Sequence, residues 1–180
     1  MQKSAFRWLY LLFFLSGFPA LIYQIVWQRT LFTVYGVNIE SVTIVVSAFM
    51  LGLGLGSLAG GRISRNPKAP LLLLFAGVEL GIAIFGLFSL PIFHWVASFT
   101  AGASPLQTGL LSFGMVLIPT VLMGATLPLL VAQLVKLSGN VGRSVGMLYF
   151  VNTLGSAVAC FAAALVTMRY LGMSGSIYVA

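Results

Sequence analysis

The sequence predicts an all-α, polytopic integral membrane domain: one helix bundle over residues 1–180, with five full transmembrane helices and the start of a sixth. Three observations predict it. Hydrophobic residues make up 60% of the chain and charged residues 6%, so a water-soluble domain of this length has too little polar surface to cover itself. The apolar residues fall in runs of roughly 20, the length at which a helix crosses a hydrocarbon core of ~30 Å. Most of the Lys and Arg residues stand between those runs, where they set orientation.

The first helix is expected over about residues 6–27. Lys3 and Arg7 followed by an apolar stretch resemble a signal peptide. Residues 16–20 offer only a poor small-x-small cleavage site, however, and the apolar run continues to Trp27, so the helix is read as uncleaved. A polar break is expected at Gln28, Arg29, Gly36, Asn38 and Glu40. The second helix, about 41–61, ends in a basic loop over 62–70 that contains Arg62, Arg65 and Lys68. The third, about 71–90, holds the carboxylate Glu79, and it is open to continuation past Pro91 toward Trp95 before a soft loop over 100–105. On a helix of that length Glu79 lies roughly 12 Å from Leu71, close to the bilayer midplane. The fourth helix, about 106–135, is long enough to tilt, and Pro119 and Pro128 are expected to break it. The fifth spans about 144–168. A sixth run, 171–180, is too short to cross a bilayer, so the chain is expected to belong to something longer, completed by a further segment or by a partner.

With the N-terminus in the cytoplasm, the inner ends hold Lys3, Arg7, Arg62, Arg65, Lys68, Lys136 and Arg143, and only Arg29 and Arg169 fall outside. That distribution obeys the positive-inside rule, and Trp8, Trp27 and Trp95 near helix ends read as an aromatic belt. The basic excess forms no stripe or patch, which argues against a nucleic-acid partner. Cys160 has no partner for an intrachain disulfide and reads as a small buried apolar residue. A lone His94 gives no metal site.

A charge in mid-membrane needs a reason. Glu79 is read either as a neutral, hydrogen-bonded packing element or as a carboxylate facing a cation, which is Arg29, a substrate or an exchanged proton. Tyr23 and Trp27, one turn apart beside Gln24 and Arg29, read either as interfacial anchors or as an aromatic wall for an organic cation. Thr126, between the two prolines of the fourth helix, is a candidate cavity residue, and Asn152 is an amide that bonds across to another helix. Gly52, Gly56 and Gly60 recur every fourth residue on one face of the second helix, a strip on which another helix can pack closely. The outside partner or missing segment is expected to dock there. No strand precedes the glycines, so they are not a nucleotide fingerprint.

Several strings resemble the membrane region of bacterial spermidine-synthase-like membrane proteins: FLSGF at 14–18, YQIVWQR at 23–29, AFMLGLGLGS at 48–57, ELGI at 79–82, PTVLMGATLPL at 119–129 and GRSVGMLYFVNTLG at 142–155. The resemblance runs in order over nearly the whole chain. It implies a multi-helix domain distantly similar to half of a major facilitator transporter, located in a bacterial inner membrane and often fused to an aminopropyltransferase-like domain. It also implies a connection with polyamines. No strand with a following Gly-rich loop is present to hold a decarboxylated S-adenosylmethionine. The loop over 56–65 resembles the facilitator loop motif, with a glycine where an acidic residue is usual.

These readings converge on a membrane module with no cofactor that binds or moves a small cationic, polyamine-like solute. Its candidate site is Glu79, Tyr23, Gln24, Trp27, Arg29, Thr126 and Asn152. The alternative is a non-catalytic anchor or scaffold for a larger complex or for an aminopropyltransferase domain. No nucleophile, base and orienter come together in the sequence, which argues against catalysis by this chain alone. A singly charged site holds a polycation weakly, so a polyamine carrier needs further acids.

Overall fold

The computed structural model describes residues 2–35, 38–100 and 102–180, with side chains from Arg7 onward except at 34–38, 101 and 105. Among these residues the regular structure is entirely helical: α1 Gln2–Tyr35, α2 Asn38–Ser64, α3 Leu71–Phe99, α4 Pro105–Ser138, α5 Val141–Ala162, a π-helical segment Ala163–Leu171 and α6 Gly172–Val179. Five helical runs are long and apolar enough to cross a membrane.

Several expected boundaries move, and α3 takes the continuation past Pro91 that its sequence left open. The first four helices run past their apolar cores, because helical hydrogen bonding continues wherever nothing in the flanking sequence stops it. Gln28 and Arg29 therefore lie inside α1, which continues to Tyr35. Of the expected break, Gly36 lies outside the described residues and Asn38 opens α2. Pro91 lies within α3, which extends to Phe99.

Pro119 and Pro128 do not break α4, which is one helix of 34 residues. Near each proline a threonine hydroxyl bonds back to the preceding turn. Thr120 lies 3.0 Å from the Val116 carbonyl and 2.9 Å from that of Leu117, and Thr126 donates to Met123 O at 2.7 Å. Each proline removes only one N–H from the ladder, and the bonds on either side carry the helix on. The start of α4 is fixed by a capping box between Ser104 and Gln107, and its end by Gly139 at φ 67°.

The fifth run does not end at Met168. It passes into the π-helical segment and stops at Gly172, whose φ of 68° and ψ of −167° belong to a backbone region open only to glycine. There the chain folds back on itself. Ser176 donates to Thr167 Oγ1 at 2.9 Å, whereas nine residues of straight helix would hold the pair about 13 Å apart. The eight residues of α6 span only about 12 Å, well short of a bilayer core.

The most extensive interface joins α2 to α4, followed by α1 with α5 and α3 with α4. Lys136 Nζ donates to Pro67 O at 3.4 Å, so the α2–α3 and α4–α5 loops share one end of the bundle. Arg62, Arg65, Lys68 and Arg143 flank the same loops. Large apolar side chains such as Leu73, Leu80, Phe88, Ile118 and Phe161 point outward, as a bilayer solvent requires. Cys160 is also exposed, contrary to the buried position expected for it.

Candidate functional site

Two glycine seams set the spacing of the bundle. Gly52, Gly56 and Gly60 are all buried. A Cβ on Gly52 would strike the Thr120 side chain, one on Gly56 the Val121 carbonyl, and one on Gly60 would sit 2.8 Å from both Ala125 O and Pro128 Cγ. The strip is therefore filled by α4 of the same chain, and the partner expected on that face has no room there. The second seam, between α1 and α5, uses Gly17 and Gly155. Their missing side chains let Asn152 Nδ2 donate to Phe13 O at 3.2 Å and Ser156 Oγ to Gly17 O at 3.0 Å.

Between the seams a cavity of ≈ 150 Å³ collects residues from five helices. Ser16 and Gln24 come from α1, Glu79 from α3, Thr126 from α4, and Asn152 and Ser156 from α5. Ala20, Leu21, Phe49, Leu53, Ile82 and Met123 form the apolar remainder. Ser16 Oγ donates to Glu79 Oε1 at 2.6 Å. Among the described residues, that hydroxyl is the partner of Glu79, and no cation pairs with it.

The polar lining has a common bias. Asn152, Ser156 and Thr126 give hydrogens to the carbonyls of Phe13, Gly17 and Met123, and Ser16 gives its own to Glu79. What these groups have left to offer is hydroxyl lone pairs, the Asn152 amide oxygen with one remaining N–H, and the carboxyl oxygens of Glu79. The lining is rich in acceptors, with the Gln24 amide as its adjustable member.

Four of the seven expected site residues meet here: Glu79, Gln24, Thr126 and Asn152. Tyr23, Trp27 and Arg29 do not. Tyr23 and Trp27 are 2% and 0% exposed, which is not the setting of an interfacial anchor, and neither lines the cavity. Their rings stack 5.3 Å apart, and Phe85, Phe93 and Phe49 pack around the indole. Aromatic area on a helix facing other aromatics is driven into the core, where such pairs are favourable. Among the described residues Trp27 Nε1 has no hydrogen-bond partner. Trp8 and Trp95 are exposed, 63% and 65%, and remain on the outer surface.

Arg29 is exposed and lines a separate open cavity of ≈ 700 Å³ with Gln28, Phe32, Thr33, Met168, Gly172 and Met173. It lies thirteen residues from Ser16, about 20 Å along α1, so it is not the counter-charge of Glu79. The midplane position also shifts. The centre of α3, as observed, is near Phe85, which puts Glu79 about 9 Å from mid-helix toward the end with the basic loop.

Ser16 and Ser156 were missed as site residues. Ser156 lies one turn after Asn152 on the same helical face, a spacing that could have flagged it. Ser16 carries no such signal, because its role depends on the register of α1 against α3. No family model, curated protein or solved structure matches the chain.

Proposed function

We propose that this chain is a bilayer-embedded module that binds, and in transport would pass on, a small cationic solute at Glu79. The observation that carries this reading is the donor balance of the cavity, in which the hydroxyl hydrogens of Ser16, Thr126 and Ser156 and one N–H of Asn152 are already spent around Glu79. An ammonium group brings up to three donors and no acceptor, which complements such a lining. A cavity of ≈ 150 Å³ is about the size that holds a benzene ring. It suits the terminal aminoalkyl part of a polyamine better than a whole polyamine, in keeping with the resemblance to spermidine-synthase-like membrane proteins. We further propose that the end bearing Arg62, Arg65, Lys68, Lys136 and Arg143 faces the cytoplasm of a bacterial cell, together with the N-terminus, and that α6 begins a sixth span of a half-facilitator-like bundle. The anchor or scaffold reading drew on the half-carrier size of the bundle and on the glycine strip, and α4 occupies that strip.

Equilibrium binding of n-butylamine to the protein in lipid nanodiscs tests the reading. Glu79→Gln should weaken binding by roughly tenfold or more, the effect of losing a charged hydrogen-bond partner, while the bundle still assembles. Equal affinity in the two proteins overturns the proposal. Uptake into reconstituted vesicles then separates binding from transport.

A further inference from the structure

A second depression meets the first at Glu79. The groove between α1 and α3, ≈ 490 Å³, is lined by Leu12, Leu15, Leu72, Phe75 and Ala76, together with Ser16 and Glu79. Ser16 and Glu79 are the two residues common to the groove and the inner cavity. The two spaces thus meet at a pair of side chains joined by a hydrogen bond of 2.6 Å. Leu12, Leu15, Leu72 and Ala76 are exposed on the outside of the bundle, and Phe75 is buried beneath them against the inner packing of Leu9 and Phe13. The groove is apolar along its length and ends at a carboxylate.

We infer that the solute is a lipophilic primary amine that reaches Glu79 sideways from the lipid, with its ammonium in the inner cavity and its hydrocarbon tail in the α1–α3 groove. This rests on the reading of the Glu79 cavity as an ammonium site and adds the class of ligand and its route. Size and charge both point to that occupant. The inner cavity has room for a head of about six heavy atoms, so anything longer must extend outside it. The groove runs about 10 Å along α3 from Leu72 to Glu79, a fit for a medium-length alkyl or arylalkyl tail. Anionic amphiphiles meet a like charge at its inner end and are rejected. A hydrocarbon tail gains little by moving from lipid to an apolar groove. The amine contact therefore selects the ligand, and the groove houses its tail. Passage from groove to cavity breaks the Ser16–Glu79 hydrogen bond.

The test uses the whole chain in phosphatidylcholine nanodiscs, with n-octylamine carrying a diazirine on its tail, the matching n-octanol probe, and n-butylamine. Photolabelling by the amine should map to residues 12–16 and 72–76, should fall roughly tenfold in Glu79→Gln, as expected for a charge-assisted contact, and should exceed labelling by the alcohol there. Ala76→Trp fills the groove from its exposed side. Provided that its melting curve matches the parent, it should cut octylamine labelling about as much and leave n-butylamine affinity within about twofold, since exposed positions tolerate substitution. If Ala76→Trp leaves octylamine labelling unchanged while n-butylamine binding still needs Glu79, the lateral route falls and the ammonium site stands. If labelling at these segments is the same for amine and alcohol, the groove is merely wetted by lipid and the inference falls. If neither amine depends on Glu79, both readings fall.

Discussion

The seam between α2 and α4 and the seam between α1 and α3 are both contacts between helices of one bundle, yet they do opposite things. At the first, three glycines let α4 approach so closely that no side chain fits between, and Gly56 meets backbone alone. At the second, leucine and phenylalanine side chains hold the helices apart, and the gap is bridged at one level by Ser16 and Glu79. The two helices close again at Gly86, where the Tyr23 ring occupies the place of a side chain. In a bilayer, apolar burial between helices has no net driving force, so close approach of small residues fixes geometry, and bulky residues leave room for polar groups and ligands. Close packing marks the first seam, and the groove that reaches Glu79 marks the second.

The contrast can be broken most severely at the tight seam. Gly56→Leu places a side chain against the backbone of Val121, Gly124 and Ala125. Backbone cannot yield as a side-chain tip can, so the expected loss is about 3 kcal/mol or more, read as failure to recover a monodisperse, cooperatively unfolding protein. Survival with an unchanged melting point would mean that the α2–α4 seam is not close-packed. At the loose seam, Ser16→Ala removes the hydroxyl that Glu79 accepts from and should cost only about 1 kcal/mol, the scale of interhelical hydrogen bonds in membranes. Denaturant unfolding in mixed micelles measures it. A loss as large as that of Gly56→Leu would make the pair a structural clamp rather than a gate.

Smaller still is Trp27→Phe, which removes a buried N–H without a partner along with part of a packed ring. The unpaired donor and the lost contacts oppose each other, so a net change of under about 1 kcal/mol is expected from the same unfolding experiment. A much larger loss would reveal an indole partner. The smallest effect belongs to Gly54→Ala. Gly54 lies on the same helix between Gly52 and Gly56, but nothing approaches its Cβ position within 4 Å. The alanine should be neutral or stabilising by up to about 1 kcal/mol, through helix propensity alone. Destabilisation comparable to that of Gly56→Leu would erase the distinction between the packed and open faces of α2.

The site was legible only in part, and for identifiable reasons. Glu79 and Asn152 stood out because a polar side chain in an apolar run must find a partner, and Thr126 because it lies between two prolines. Tyr23 and Trp27 were misplaced because an amphipathic ring suits an interface and a core equally well, and only the arrival of Phe49, Phe85 and Phe93 around it decides which. The glycine strip was correctly read as a packing face but assigned to an outside partner, since spacing tells that a helix packs there without telling which one.

The sequence by itself determined the class of object and the run of its helices. Composition rules out a water-exposed fold, and a bilayer forces every apolar run into a form that satisfies its own backbone. Tertiary structure alone decided that α4 fills the Gly52, Gly56 and Gly60 strip, that the chain turns back at Gly172, and that Ser16 meets Glu79 across 63 residues of chain. Each of these depends on the relative depth and rotation of two helices. Those are fixed by interlocking side chains from separate segments, and the periodicity of a single helix carries no record of them.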